Sequence, residues 1–235
     1  MKDFKAIFLN VLESRRYKAW VAEIIKQYPS GIDNPRILDV GCGSNKINNS
    51  KTVIGCDMFP ASEDIIQAAA DDLPFDDGSI DILVSAHCLE HMANPIKTIN
   101  EWCRVTGSDG IVWFILPHGL RTFDSERALT TSDHIFHDFN NQTAEDDQTH
   151  WEEFTDLAIL SGHRLIPPSY LQKAEENDFW FFNNERLIHQ HVWTLHSFIE
   201  LLSRLGLGIL YATDTVPGRK DSFSVIVRYT SNDPL

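Results

Sequence analysis

Ile37-Leu-Asp-Val-Gly-Cys-Gly43 decides the reading of this chain. Ile37, Leu38 and Val40 make a short apolar run, which predicts a buried strand. Gly41 and Gly43 then predict a sharp turn that a ligand can approach closely. A dinucleotide loop, G-x-G-x-x-G, would need a third glycine where Lys46 stands, and no G-K-[ST] follows. Neither pyrophosphate-binding loop fits.

Outward from this loop the same rhythm repeats. Lys51–Asp57 predicts a second strand ending in an acid, Asp64–Ala70 a third, Ile80–Ser85 a fourth and Ile111–Leu116, closed by Pro117, a fifth. Asn94-Pro95 is an N-cap followed by proline at the first helical position, and Ile96, Ile99, Trp102 and Cys103 mark one helix face. Before the first strand, Phe4, Ile7, Phe8, Val11, Leu12, Trp20, Ile24, Ile25 and Tyr28 predict one or two amphipathic helices, ended by Pro29-Ser-Gly31. Thr194 can cap a helix that Gly206 ends, and Leu207–Thr213 with Ser222–Tyr229 predict a final antiparallel pair. Short strands alternating with helices imply an α/β fold, with a mostly parallel sheet covered on both faces. Residues 121–191 break the pattern. They are rich in His, Asp, Asn and aromatics, hold a helical segment near Trp151–Leu160 and the run Phe179–Phe182, and predict an insertion or lid.

The chain has 235 residues, 43% of them hydrophobic and 23% charged, with a formal net charge of -14. This suits one domain with an insertion, and the acidity argues against a nucleic-acid partner. No apolar run approaches the ~20 residues of a membrane span, and the charged N-terminal stretch is no leader, so a cytoplasmic protein is expected. Cys42, Cys56, Cys88 and Cys103 stand singly and are expected to be buried, reduced thiols.

Two carboxylates narrow the ligand. Asp57 ends the second strand, where it can accept both hydroxyls of a ribose. Asp39, just before the loop, would repel a pyrophosphate and attract an ammonium group. A ligand with a ribose, a cationic end and no phosphate is S-adenosylmethionine. Here the sequence resembles the class I S-adenosylmethionine-dependent methyltransferases. Ile37–Gly43 looks like their first motif and Val53–Asp57 like their second. Asp71–Asp81 looks like the adenine-contacting turn, His87-Cys-Leu-Glu-His91 like their H-V-L-E-H segment, and Arg104–Gly110 like their R-V-L-K-P-G-G turn. The family's frequent third glycine is Asn45 here, which tolerates a left-handed backbone better than most residues, and the acid of its G-D-A turn would fall near Ala69.

The resemblance implies a Rossmann-like, doubly wound, mostly parallel seven-stranded sheet with an antiparallel final strand, N-terminal helices and a lid after strand five. It divides the chain into an N-terminal helical segment (1–34), a cofactor-binding core (35–120), an insertion shaping the acceptor site (121–191) and the rest of the core (192–235). The cofactor contacts it implies are Asp39, Gly41, Cys42, Gly43, Asp57, Met58, Asp71, Asp72, Leu73 and His87. The acceptor expected is a small molecule, sugar or glycan precursor, methylated on oxygen. Ser85-Ala-His87-Cys stands where DNA amino-methyltransferases carry [DN]-P-P-[YF].

Histidines are the candidate bases, because their pKa lies near neutrality. They are His87, at the end of strand four, and His134 and His191. The stretch from Arg121 to His134 resembles a bacterial subgroup often found among cell-surface polysaccharide genes, whose histidines match His134 and His191. The spacing leaves a metal reading for Asp133, His134, His137 and Asp138 open, although no metal is the expectation. Trp180 and its phenylalanine neighbours suit either a sugar-stacking surface or a lid core. Two other functional classes stay open. One is a silent cofactor-binding module. The other is a zinc hydrolase, because His87–His91 reads H-x-x-E-H.

Overall fold

The computed structural model describes residues 2–28, 32–48, 52–161 and 166–229, with side chains of the first helix from Ser14 onward. Helix α1 (Lys2–Gln27) is a single helix. The expected stop at Pro29–Gly31 and the side chains of Phe4 to Leu12 lie outside the described residues. Strands β1 (Ile37–Val40), β2 (Val53–Asp57), β3 (Ile65–Gln67), β4 (Ile82–Ala86), β5 (Ile111–Pro117), β6 (Gly208–Thr213) and β7 (Ser222–Arg228) form one seven-stranded sheet in the order β3-β2-β1-β4-β5-β7-β6. The first five run parallel, and β7 inserts antiparallel between β5 and β6.

Period-two alternation sends each strand's side chains to two cores. From β5, Val112, Phe114 and Leu116 join the core under helices α2 (Pro95–Thr106) and α7 (Leu195–Arg204), while Ile111, Trp113 and Ile115 join the core under α1. Trp20 of α1 meets Trp113 edge-on at 5.2 Å. Burial on both faces explains why β1, β4 and β5 read as continuous apolar runs. Local signals set the helix ends as well. Asn94 accepts a hydrogen bond from the Lys97 amide at 3.1 Å, and Thr194 forms a capping box with Ser197.

The insertion leaves the carboxyl end of β5. It carries α3 (Ser132–Asn141), α4 (Trp151–Glu153) running into a π-helical stretch (Phe154–Ile159), α5 (Pro168–Glu175) and α6 (Phe179–Asn184). Trp151, Phe154, Phe179 and Phe182 build a separate hydrophobic cluster there, so most of the aromatic run is lid core. Trp180 is the exception and is exposed. Among the described residues no helix is long and apolar enough to cross a membrane. The cysteines are free, but only Cys56 and Cys103 are buried; Cys42 and Cys88 are half-buried because they face the cleft.

Candidate active site

The cleft opens at the carboxyl ends of β1, β2 and β4. Gly41 and Gly43 have φ of 72° and 55°, left-handed values that favour glycine. A Cβ on Gly41 would lie 2.6 Å from the Cys88 Cβ, whereas one on Gly43 would meet nothing within 4 Å. The first glycine therefore permits close packing of two loops, and the second leaves open space for a ligand. Asp57 locks the turn: its Oδ2 accepts from the Gly43 amide at 2.7 Å and its Oδ1 from the Phe59 amide at 2.8 Å. Asn45, expected to stand in for a left-handed glycine, does not have a positive φ.

Asp39 lies within β1 on the α1 side. Burial raises its carboxyl to about 7, against the Ile47 amide that donates to its Oδ2. With Tyr17, Lys18, Gly41, Lys46 and Arg219 it lines a cavity of about 630 Å³ between α1 and the loop. A second cavity of about 200 Å³ lies against Asp57, Met58, Ala68, Ala70, His87 and Met92, with Glu185 and Arg186 reaching over from the insertion.

His87 sits in the left-handed region (φ 55°), an uncommon conformation for a residue with a Cβ. Its Nε2 is 2.9 Å from Ser222 Oγ, and Ser222 donates to Asp221 Oδ1 at 3.0 Å. Because the serine proton is already engaged, His87 Nε2 carries the donating hydrogen, and Nδ1 faces the buried Glu90 Oε1 at 3.6 Å. Burial, with Arg219 nearby, lowers this imidazole to about 3, so it is neutral at neutral pH. Glu90 is fully buried, and neither carboxyl oxygen has a hydrogen-bond partner. Burial raises it to about 7, against the pull of His189 and Arg219. His91 Nδ1 donates to the Ile188 carbonyl at 3.0 Å. Leu89–His91 is one 3-10 turn with His87 before it in the left-handed region, so although His87 Nδ1 and His91 Nε2 both face Glu90 Oε1, at 3.6 and 3.8 Å, H-x-x-E-H does not form the two-histidine helix face of a zinc hydrolase.

The remaining sequence candidates divide. Gly41, Cys42 and Met58 line the cavities along with Asp39, Asp57 and His87. Gly43, Asp71, Asp72 and Leu73 are not among the lining residues. Asp71 holds Lys97 at 2.7 Å, Asp72 is exposed and Leu73 is buried in the core, so Ala68 and Ala70 form that wall instead. His134 and His191 come together with His150 but line neither cavity, because their cluster lies behind the 88–94 loop. The spacing-based metal set does not assemble. Asp133 pairs with Arg204 at the surface and His137 Nε2 contacts Asn141.

Several site residues carried no sequence signal. Tyr17 and Arg219 reach the cavity only because α1 and the β6–β7 hairpin converge on it. A buried set also ties the start of the insertion to its middle and end: Asp124 accepts from Arg127 at 2.9 Å and from His189 Nδ1 at 2.7 Å, and Arg127 reaches Glu153 at 3.0 Å.

Residues 38–114, a third of the chain, match the family model of a methyltransferase domain. That match implies S-adenosylmethionine as the cofactor. The open cradle at Gly43, the Asp57 carboxylate at the end of β2 and the buried Asp39 fit its ribose and cationic end. Among characterised proteins, ajmaline N-methyltransferase of Rauvolfia serpentina is 41% identical over 59 residues, which is 25% of this chain and 20% of that protein. The chain therefore matches only about a fifth of that relative's length. An S-adenosylmethionine-dependent methyltransferase of Thermotoga maritima superposes with a TM-score of 0.53 at 8% identity, covering 97% of this chain and 95% of that one. A chain of the Haloferax volcanii complex that contains the Trm112 methyltransferase activator gives 0.50 at 14% identity, covering 98% and 96%. At such identities the likeness concerns the fold.

Proposed function

We propose that this protein transfers a methyl group from S-adenosylmethionine to an oxygen of an anionic small molecule, such as a phosphorylated sugar or other glycan precursor. The observation that carries the reading is the larger cavity. Its lining holds Asp39 and the Gly41 loop together with Lys18, Lys46 and Arg219, in a chain of net charge -14. Cations gathered at one cleft of an acidic protein suit a negatively charged acceptor. Lys46 is balanced by Asp64 at 2.9 Å, which leaves Lys18 and Arg219 for that role. The resemblance to a subgroup among polysaccharide genes points the same way.

In this reading Gly41, Cys42 and Gly43 cradle the cofactor's methionine end, Asp57 and Met58 hold its ribose side, and Asp39 pairs with its ammonium group. S-Adenosylmethionine supplies a methyl already activated on a sulfonium. The protein's part is alignment, which can be worth ~7–11 kcal/mol. His87 lines the smaller cavity with Nε2 fixed by Ser222 and Asp221, and an acceptor hydroxyl that reaches its Nδ1 would do so beside Glu90, 3.6 Å away. A neutral imidazole with so low a pKa orients a hydroxyl better than it takes its proton. The structure thus shifts the proposed acceptor contact to His87 and away from His134 and His191.

The test is calorimetric titration with S-adenosylmethionine, followed by a labelled-donor screen of phosphorylated sugars, nucleotide sugars and neutral sugars. Cofactor binding is expected, weakened at least about 10-fold in Asp57→Ala, with transfer to anionic acceptors lost on Arg219→Ala. No binding would overturn the cofactor placement. Binding without transfer to any acceptor would favour a silent module.

A further inference from the structure

Away from the cleft, three histidines meet, with a carboxylate beside two of them. His134 Nε2 and His150 Nε2 are 2.9 Å apart, and Asp138 Oδ2 lies 3.2 Å from His134 Nε2 and 3.9 Å from His191 Nε2. Ligand atoms of the three histidines all lie within 4.8 Å of one another. His191 is 1% exposed, yet neither ring nitrogen makes a hydrogen bond, and Asp138 Oδ2 is equally unpartnered. A buried carboxylate oxygen and a buried imidazole left unsatisfied side by side call for a missing partner. Hydrogen bonding between His134 and His150 alone would not supply one, since it leaves His191 and Asp138 as they are.

We propose that His134, His150 and His191, with Asp138 beside them as a fourth ligand, form a site for a divalent transition-metal ion, zinc first, which ties the early part of the insertion to its last residue. Around zinc with bonds near 2.0–2.2 Å, ligand atoms sit about 3.3 Å apart, inside the spread of distances seen here. Three imidazoles and one carboxylate suit zinc better than calcium or magnesium, which prefer oxygen. The outer contacts follow the usual pattern of metal sites, in which a ligand's second atom is held by a neighbour. Asp138 Oδ1 accepts from Thr143 Oγ1 at 3.2 Å, which leaves Oδ2 aimed at the histidines. His150 Nδ1 faces Glu153 Oε2 at 3.9 Å.

With Asp138 as the fourth ligand the coordination sphere is closed, the mark of a structural site and not a catalytic one. The ligands come from α3, from the turn before α4 and from the last residue of the insertion, His191, whose amide bonds the Glu90 carbonyl at 3.2 Å. One ion would thus clamp three separate stretches of the insertion. This proposal does not rest on methyl transfer.

The experiment uses the full chain, stripped with a chelator and titrated with zinc, and separately with cobalt(II) as a spectroscopic probe. One equivalent of metal is expected per chain, with the intense visible absorption of tetrahedral cobalt and a rise in thermal midpoint on zinc addition. His191→Ala opens a fully buried position and can fail to fold, so the decision rests on His134→Ala and His150→Ala, at less buried positions. Each should weaken zinc by more than about 100-fold, beyond the ~10–100-fold that loss of an outer partner such as Thr143 costs. His137→Ala, on the same helix but outside the group, should bind as the wild type does. Absence of stoichiometric zinc in the wild type, or affinity unchanged in His134→Ala and His150→Ala, would overturn the site.

Discussion

Glu90 has a buried carboxyl with no hydrogen-bond donor, and burial raises its pKa from an ordinary 4.5 to about 7. A raised folded-state value means that the native protein binds this proton more tightly than the unfolded chain does. The protonated carboxyl is therefore no burden below about 4.5, a growing one between 4.5 and 7, and a constant one above 7. The full burden is on the order of 3 kcal/mol. Glu90→Gln mimics the protonated form. Its unfolding free energy should match the wild type near pH 4.5 and exceed it by up to that amount at pH 8. His87 and His91, both held near 3, push the pH dependence the other way, but they do so in both proteins and cancel in the difference. Denaturant unfolding at the two pH values checks this, and equal stabilities at pH 8 would mean that Glu90 is not the strained group. The sequence showed H-x-x-E-H but not this environment, because a lone pentapeptide cannot say which of its polar groups the fold will close over.

At the scale of elements, the loop after β1 makes a sharp contrast between two glycines that look alike in sequence. Gly41→Ala places a methyl 2.6 Å from the Cys88 Cβ on top of an unfavourable φ, so it should lower the thermal midpoint and remove cofactor binding together. Gly43→Ala meets open space and bears only the backbone cost, about 1 kcal/mol. It should stay folded and lose affinity, because its methyl enters the cradle. Melting curves and titration on both variants separate the two effects, and an identical profile would refute the distinction. Elements governed by local rules were legible: Asn94-Pro95 starts α2, Thr194 caps α7, and Asp57 ends β2. Elements governed by tertiary contacts were not. Asp71 looked like a ligand contact in a loop of acids, yet Lys97, presented from α2, takes its carboxylate. The segment from Trp151 begins as an α-helix and widens to π geometry beside a packed aromatic cluster, which periodicity alone cannot forecast.

Across the whole molecule, the sheet brings the ends of β1, β2 and β4 to one rim, and the insertion leans over that rim with a hydrophobic cluster of its own. The sequence separated 121–191 by composition but could not say what the segment covers, since the contacts join residues far apart in the chain. Arg186 and Glu145 pair within it, Glu145 accepts from the Ala93 amide at 3.2 Å, and Gln190 bonds the Glu90 carbonyl at 2.8 Å. Glu185 and Arg186 also wall the cavity that holds Asp57 and Met58. A segment with its own core and few ties to the sheet should open as its own cooperative unit, at lower free energy than β1, β4 and β5. Hydrogen exchange should therefore show residues 145–188 exchanging ahead of the central strands. Because the insertion lines the cavity that holds Asp57 and Met58, S-adenosylmethionine bound as proposed should slow exchange at 179–191 together with 41–47 and 57–59, by mass action on the closed form. Protection confined to 41–47 and 57–59 would detach the insertion from the cofactor site and leave it facing the acceptor alone.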